Sequence, residues 1–470
     1  MTSATRVSLV HLGCPKNQID SEVLLGRLAS DGMLVCGRPE DAEIAVVNTC
    51  AFIGPAREES LGAIRGLLDR KRAGALRGVV VAGCLPQQFR AEVEADPSLR
   101  DVDAFLGLGD STGIAEVVRA IVDGRGARAL TGGGVRGVPD DTVRLLTGPR
   151  SYAYLRISEG CDHDCAFCII PRIRGRHRSK PLATLASEAA ALAEQGAREV
   201  VLVAEDATWY GRDLPVATGY GRDLPVATGY GRDTDGRERL PDAIATIADA
   251  PGVRWVRTMY AYPNGLPAGL TDVLRDHPRV VEYLDIPIQH IASGVLKAMR
   301  RASSGAKVRE TLARLREEVP GIALRTTIIV GFPGETEADF GELLDFLREF
   351  RFERLGAFRF SLEKGTPSYD LPGRVPEDEI ARRHDAVLRL QRDVVRERNR
   401  SLVGAEVEVL VDGRDRKGSF VGRTRADAPE IDCSVKLRGS ARPGDVLRGT
   451  VRGVAGDGYD LVVEPAGGAC

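Results

Sequence analysis

Residues 159–168 read Glu159-Gly160-Cys161-Asp162-His163-Asp164-Cys165-Ala166-Phe167-Cys168, directly behind a strand-like run at 152–158. Three thiols fall within eight residues at the spacing C-x3-C-x2-C. Three thiolates so close in sequence reach three irons of a cubane iron–sulfur cluster and leave the fourth iron without a protein ligand. An open iron chelates a substrate, whereas a cluster closed by four cysteines carries only electrons or structure. A zinc site with His163 as fourth ligand is the competing reading, although zinc sites usually pair two CxxC-like elements and this triplet stands alone.

The pattern around the loop extends in both directions. Candidate strands at 152–158, 199–204, 254–259, 280–286, 323–330 and 354–360 alternate with helical patterns such as 183–195, 306–318 and 337–350. This alternation predicts a partial (β/α)6 barrel over residues 145–375, with its chemistry at the carboxyl ends of the strands. Upstream, short apolar runs at 7–12, 44–48 and 79–82 alternate with helical patterns at 22–30 and 55–72, which predicts an open parallel sheet over residues 1–130. Gly132-Gly133-Gly134 and the polar stretch to Pro149 read as a linker. A charged helix is expected over 376–402. Residues 403–470 carry short alternating runs at 406–411, 446–451 and 459–463 separated by glycine, the pattern of a small antiparallel β barrel. The fold class is therefore α/β, with a β domain at the end.

Composition excludes several functions. Lys and Arg total 65 against 67 Asp and Glu, so bulk positive charge is not what would hold this chain to a nucleic acid. No apolar run approaches the ~20 residues that cross a bilayer, so no membrane partner is expected. Only thirteen residues precede Cys14; they include His11 and no long apolar core, which argues against a signal peptide. Nine cysteines, an odd number, fit a cytoplasmic protein whose thiols are free or bind metal. Residues 210–219, YGRDLPVATG, recur unchanged at 220–229 and restart at Tyr230. Two copies of ten residues are too few for a solenoid and read as a loop insertion, since long surface loops cost little.

A second group of cysteines is dispersed. Cys14, Cys50 and Cys84 each follow a short apolar run, in Leu12-Gly13-Cys14, Asn48-Thr49-Cys50 and Ala82-Gly83-Cys84. In a parallel sheet the carboxyl ends of strands share one edge, so these thiols would converge without a local motif. A second cluster with one open iron is one reading; three buried core cysteines is the other. Cys36 reads as core, and Cys433 and Cys470 have no partners at ligand spacing. Three further features adjoin the proposed site. The cations of Pro171-Arg172-Ile173-Arg174-Gly175-Arg176-His177-Arg178-Ser179-Lys180 face either the site or solvent. Glu205-Asp206 end the second barrel strand, and the turn Gly331-Phe332-Pro333-Gly334-Glu335-Thr336 ends the fifth.

The C-x3-C-x2-C loop after a first barrel strand resembles the radical S-adenosylmethionine (SAM) superfamily. That resemblance implies a 4Fe-4S cluster on Cys161, Cys165 and Cys168 that binds SAM and cleaves it to methionine and a 5′-deoxyadenosyl radical. It also makes Glu205, Asp206, Gly331 and Gly334 candidate SAM contacts. With the dispersed cysteines and the final β domain, nearly the whole chain resembles the methylthiotransferases. This implies a second 4Fe-4S cluster on Cys14, Cys50 and Cys84 that presents sulfur to a substrate radical. Gly422-Arg423-Thr424 and Asp427-Ala428-Pro429-Glu430-Ile431-Asp432 look like a TRAM domain, although Cys433 stands where relatives often have glycine.

Within the family, Leu12-Gly13-Cys14-Pro15-Lys16-Asn17 with Asp20-Ser21-Glu22, Cys168-Ile169-Ile170-Pro171, and Leu284-Asp285-Ile286-Pro287-Ile288-Gln289-His290 resemble the RimO-type branch. That branch modifies the β-carbon of an aspartate in ribosomal protein S-twelve. Implied partners are that protein or the small ribosomal subunit, an electron donor such as flavodoxin or ferredoxin, and a sulfur source. The final domain holds ten Lys/Arg against eleven Asp/Glu in residues 403–466, which suits a protein substrate better than RNA. The alternatives are a tRNA adenosine methylthiotransferase, a two-cluster electron carrier and a zinc-bearing RNA-binding protein.

Overall fold

The computed structural model describes residues 4–125, 137–215 and 239–466. Strands β1 (Arg6–His11), β2 (Leu34–Cys36), β3 (Ile44–Thr49), β4 (Gly78–Gly83) and β5 (Ala104–Leu106) form one parallel sheet in the order β2-β1-β3-β4-β5. β3 and β4 are buried along their whole length, which is why Ile44–Val47 and Gly78–Gly83 are continuous runs of small and branched apolar residues. Alternate side chains serve opposite faces. Ala45, Val47, Val79 and Val81 pack with Ile64, Leu67 and Leu68 of the helix Gly54–Arg72. Ile44, Val46, Val80 and Ala82 pack with Leu24 and Leu28 of the helix Pro15–Ser30 and with Ile114, Val117 and Val118. That first helix starts seven residues before the expected 22, with Pro15 in its first turn, where the missing N–H costs nothing.

The central unit contains β6 (Tyr152–Arg156), the short antiparallel pair β7 (Ser158–Glu159) and β8 (Arg178–Ser179), and β9 (Glu199–Val203), β10 (Trp255–Thr258), β11 (Val280–Asp285), β12 (Ala323–Val330) and β13 (Arg354–Arg359). The long strands form one parallel sheet in sequential order, β6-β9-β10-β11-β12-β13, as in a partial barrel. One face carries the helices, through residues such as Leu155, Leu202, Val256, Leu284 and Leu324. The other face, with Tyr152, Tyr154, Val201, Trp255 and Tyr283, receives Ile19 and Val23 from the first unit and Leu410 and Ala428 from the third.

The 25-residue helix Glu377–Ser401 follows. β14 (Glu406–Arg414), β15 (Phe420–Thr424), β16 (Val435–Leu437), β17 (Val446–Ala455) and β18 (Asp460–Pro465) then close into a barrel in the order β14-β15-β16-β18-β17. The expectation of an antiparallel barrel needs one correction: β16 and β18 pair in parallel. Five strands cannot alternate direction all the way round a closed ring, so one neighbouring pair must run the same way.

Three further expectations change. The polar stretch read as a linker is buried in part, because its charges find partners: Arg144 pairs with Glu22, and Asp141 with Arg156 and Lys180. Cys36 lies at the sheet edge, half-buried, and is not core. The start of the ten-residue repeat is built into the barrel: Tyr210 is buried with its hydroxyl donating to the Lys180 carbonyl (2.7 Å), and Asp213 accepts from the Ser179 amide (2.9 Å). The second copy, Gly132-Gly133-Gly134 and Cys470 lie outside the described residues. No described helix is long and apolar enough to cross a membrane.

Candidate functional site

β1, β3 and β4 are neighbours and parallel, so the turns that carry Cys14, Cys50 and Cys84 share one edge of the sheet. Two glycines permit their close approach. A Cβ on Gly13 (φ +102°) would lie 2.7 Å from the Cys50 Cβ, and one on Gly83 (φ +97°) would lie 2.2 Å from the Asn48 Oδ1. Asn17 ties the three turns together. Its Nδ2 donates to the carbonyls of Leu12 (3.0 Å) and Thr49 (2.9 Å), and its Oδ1 accepts from the Cys84 Sγ (3.5 Å). Cys14 is exposed, while Cys50 and Cys84 are buried. Burial pushes the Cys50 and Cys84 thiols up.

The second triad sits between β7 and β8. A Cβ on Gly160 (φ +81°) would lie 2.1 Å from the Arg176 carbonyl, so only glycine allows the chain to enter the loop here. The Cys161 amide donates to the Gly175 carbonyl (3.1 Å), and the Ala166 amide to the Met299 carbonyl (2.9 Å). Arg301 Nη1 reaches the Cys165 Sγ at 3.7 Å. Burial pushes the Cys161 thiol up to about 12. A metal group therefore displaces protons as it binds, because thiolates are the ligands.

His163 stacks on Tyr262 (4.1 Å between centroids, 12°), and its Nε2 is 2.7 Å from Asp206 Oδ2. That contact engages Nε2 and leaves Nδ1 to other partners. Among the described residues no three His, Cys, Asp or Glu side chains stand close enough to hold a single metal ion. That holds for the two cysteine triads as well, so it does not separate a zinc ion from an iron–sulfur cluster on this loop.

A buried charge network lies between the triads. Glu159 is 2.7 Å from both Arg156 Nη1 and Arg174 Nη1, and Asp20 is 2.8 Å and 3.0 Å from the same two guanidiniums. Against the cost of burial, Arg174 and Arg156 hold the Glu159 carboxyl down to about 2. Glu205, at the end of β9, is different. Its side chain is 4% exposed, and neither carboxylate oxygen has a hydrogen-bond partner; Lys16 Nζ lies 3.4 Å from Oε1. Burial pushes its pKa up, opposed by Lys16. Lys16 also lies over the Tyr260 ring (4.8 Å). Tyr260 (φ +62°) and Gln289 (φ +70°), just beyond β10 and β11, hold left-handed backbone that costs of order 1 kcal/mol or more each.

The other sequence candidates fall as follows. Asp206 caps the turn Ala207–Trp209 through the Thr208 amide (2.8 Å) as well as binding His163. A Cβ on Gly331 would meet Ile380 of the long helix at 2.4 Å, and its amide donates to Glu335 (2.5 Å). Gly334 has open space at its Cα. The basic run divides: Arg174, His177 and Lys180 are buried, while Arg172 and Arg176 are exposed. Sequence reasoning quoted Lys16, Asn17 and Asp20 only as a family signature, and missed Arg156 and Tyr260 altogether. One signal was available for Arg174: it follows Ile169, Ile170 and Ile173, an apolar flank that a solvated loop does not need.

Comparison with known proteins matches three family profiles to this chain. The Radical SAM superfamily covers residues 155–347, Uncharacterized protein family UPF0004 covers 6–107, and the TRAM domain covers 403–465. A protein of Anaeromyxobacter sp. (strain K) is 43% identical over 469 residues, spanning 98% of this chain and 93% of that protein. One of Geobacter sulfurreducens is 42% identical over 463 residues, spanning 98% of both. Both are called ribosomal protein uS12 methylthiotransferase RimO. Among solved structures, the radical SAM methyltransferase TsrM of Kitasatospora setae shares the fold, with a TM-score of 0.52, 14% identity, and coverage of 90% of this chain and 85% of that one.

Proposed function

This chain belongs to the RimO family of ribosomal protein uS12 methylthiotransferases, and from that we propose that it is a radical SAM enzyme that joins a methylthio group to the β-carbon of an aspartate in ribosomal protein uS12. Cys161, Cys165 and Cys168 hold a 4Fe-4S cluster, and Cys14, Cys50 and Cys84 hold a second. The donor sets suit this: one offers three thiols in a single loop entered through Gly160, the other three thiols on neighbouring turns shaped by Gly13 and Gly83. Bound there, the clusters supply reductive SAM cleavage on one side and sulfur on the other.

The surrounding residues bind and orient. Glu205, a buried carboxylate paired with Lys16 (3.4 Å) and near Arg174 (3.9 Å) but with no close hydrogen-bond donor on either oxygen, takes the ammonium of SAM, whose N–H groups supply the missing donors. Asp206 fixes His163, and the stack of His163 on Tyr262 screens the cysteine loop from water. Gly334 leaves room for the adenosine, while Gly331 serves the turn against Ile380. Flavodoxin or ferredoxin supplies electrons, and a separate sulfur donor restores the sulfur consumed.

The observation that supports this reading is the Arg156–Arg174 network, whose carboxylates Asp20 and Glu159 belong to the helix behind Cys14 and to the strand before Cys161. The test is to load the protein anaerobically with iron and sulfide and add SAM, a reductant, and either ribosomal protein uS12 or tRNA. A mass gain of one methylthio group in place of hydrogen on the ribosomal protein is expected. Gain on tRNA alone would overturn the assignment.

A further inference from the structure

We infer that Arg174 is the positioning residue that joins the two triads, holding the Cys84 sulfur and raising the reduction potential of the group bound at Cys14, Cys50 and Cys84. The inference rests on the two-cluster reading above. Arg174 ends the short helix Ile170–Arg174, which begins two residues after Cys168. Ile169 and Ile173 are buried in the core of the first unit, in the same cluster as Cys84 and Leu85. The segment behind the barrel's cysteine loop is thus lodged in the neighbouring unit, and that lodging brings the guanidinium to Cys84.

Its contacts reach the Cys84 sulfur directly and the other triad's loop through Glu159, while its Nε lies 3.9 Å from Glu205. Nη2 donates to Asn17 Oδ1 (2.8 Å) and Asp20 Oδ2 (3.0 Å) and lies 3.8 Å from the Cys84 Sγ. Nη1 donates to Glu159 Oε1 (2.7 Å), two residues before Cys161. A planar fork is needed to serve both sides at once, which an ammonium cannot reproduce. A cation and an N–H donor at a ligand sulfur favour the electron-richer state of an iron–sulfur centre. Arg156 supplies the internal control. It binds the same two carboxylates, Glu159 at 2.7 Å and Asp20 at 2.8 Å, and touches no sulfur among the described residues. It also keeps those carboxylates paired when residue 174 changes.

The experiment uses the full chain with Cys161, Cys165 and Cys168 replaced by Ala, so that iron on the dispersed triad is read alone. Iron and sulfide content, and the midpoint potential from an EPR-monitored titration, are measured for that parent and for Arg174→Met, Arg174→Lys and Arg156→Met in it. Arg174→Met is expected to lose the iron or to hold it at a lower potential, and Arg174→Lys to recover part of the effect. Arg156→Met is expected to keep the parent's iron and potential. Unchanged iron and potential in Arg174→Met, or equal changes in Arg174→Met and Arg156→Met, would overturn the inference in favour of a purely structural arginine. A parent that binds no iron, beside an unsubstituted chain that binds only ~4 per molecule, would instead remove the two-cluster reading itself, and the inference with it.

Discussion

Asn17 spans all three turns of the dispersed triad, so its loss is felt at each. Asn17→Ala leaves the buried Thr49 carbonyl and the half-buried Leu12 carbonyl without their donor and should cost about 1–3 kcal/mol, read as a lower denaturant midpoint of the metal-free protein. Cys165→Ala separates the roles of the triads: iron should remain at Cys14, Cys50 and Cys84 while SAM is no longer cleaved. Continued release of 5′-deoxyadenosine from that variant would reverse the assignment. His290 gives a pH signature. Burial lowers its pKa to about 4, the Ala292 amide donates to its Nδ1 (3.0 Å), and its Nε2 has no partner, so the folded protein holds it neutral. The unfolded chain takes up that proton from about pH 6.5 downward. Stability should therefore be intact above that pH and fall by up to about 3 kcal/mol as pH drops toward 4, a slope that His290→Gln removes in urea titrations. At this scale the sequence revealed cysteines, whose chemistry is tied to residue type and spacing. It named Glu205 and the run holding Arg174 as candidates but could not show that both side chains are buried, because a charged letter carries no sign of the depth at which its side chain lies.

Strand and helix positions were legible where one pattern ran long enough. The six long barrel strands appear within one or two residues of their expected bounds, and the helix Glu337–Phe350 begins and ends where its periodicity does. The three-residue strands β2, β5 and β16 were not legible, since three residues cannot establish a period. Nor could periodicity show that β7 and β8 brace the cysteine loop; that pairing depends on Gly160, whose conformation and crowding appear only in three dimensions. Gly160→Ala should strain this hairpin by about 1–3 kcal/mol, because the new methyl would press on the Arg176 carbonyl. The expected readout is a lower denaturant midpoint together with weakened iron retention at Cys161, Cys165 and Cys168.

Across the molecule, the third unit is fastened to the barrel by buried charge. Arg354 Nε donates to Asp427 (2.8 Å), Arg423 lies between Glu199 and Asp412, and the Tyr283 hydroxyl donates to Asp432 (2.7 Å). Asp427→Ala strands the Arg354 charge and should cost about 3–5 kcal/mol, seen as early proteolytic release of the last 65 or so residues. The order of the three units was legible in the chain, but their mutual embedding was not, because contacts between distant segments leave no local pattern. One such embedding bears on how the molecule comes into being. The apolar cluster that holds Cys84 and Leu85 is completed in part by Ile169 and Ile173, so a ribosome that has made the first 125 residues has released a half-built core with a greasy notch still open. That notch stays open until some fifty more residues have left the exit tunnel, and during that interval the nascent chain is a natural client for whatever chaperone waits outside.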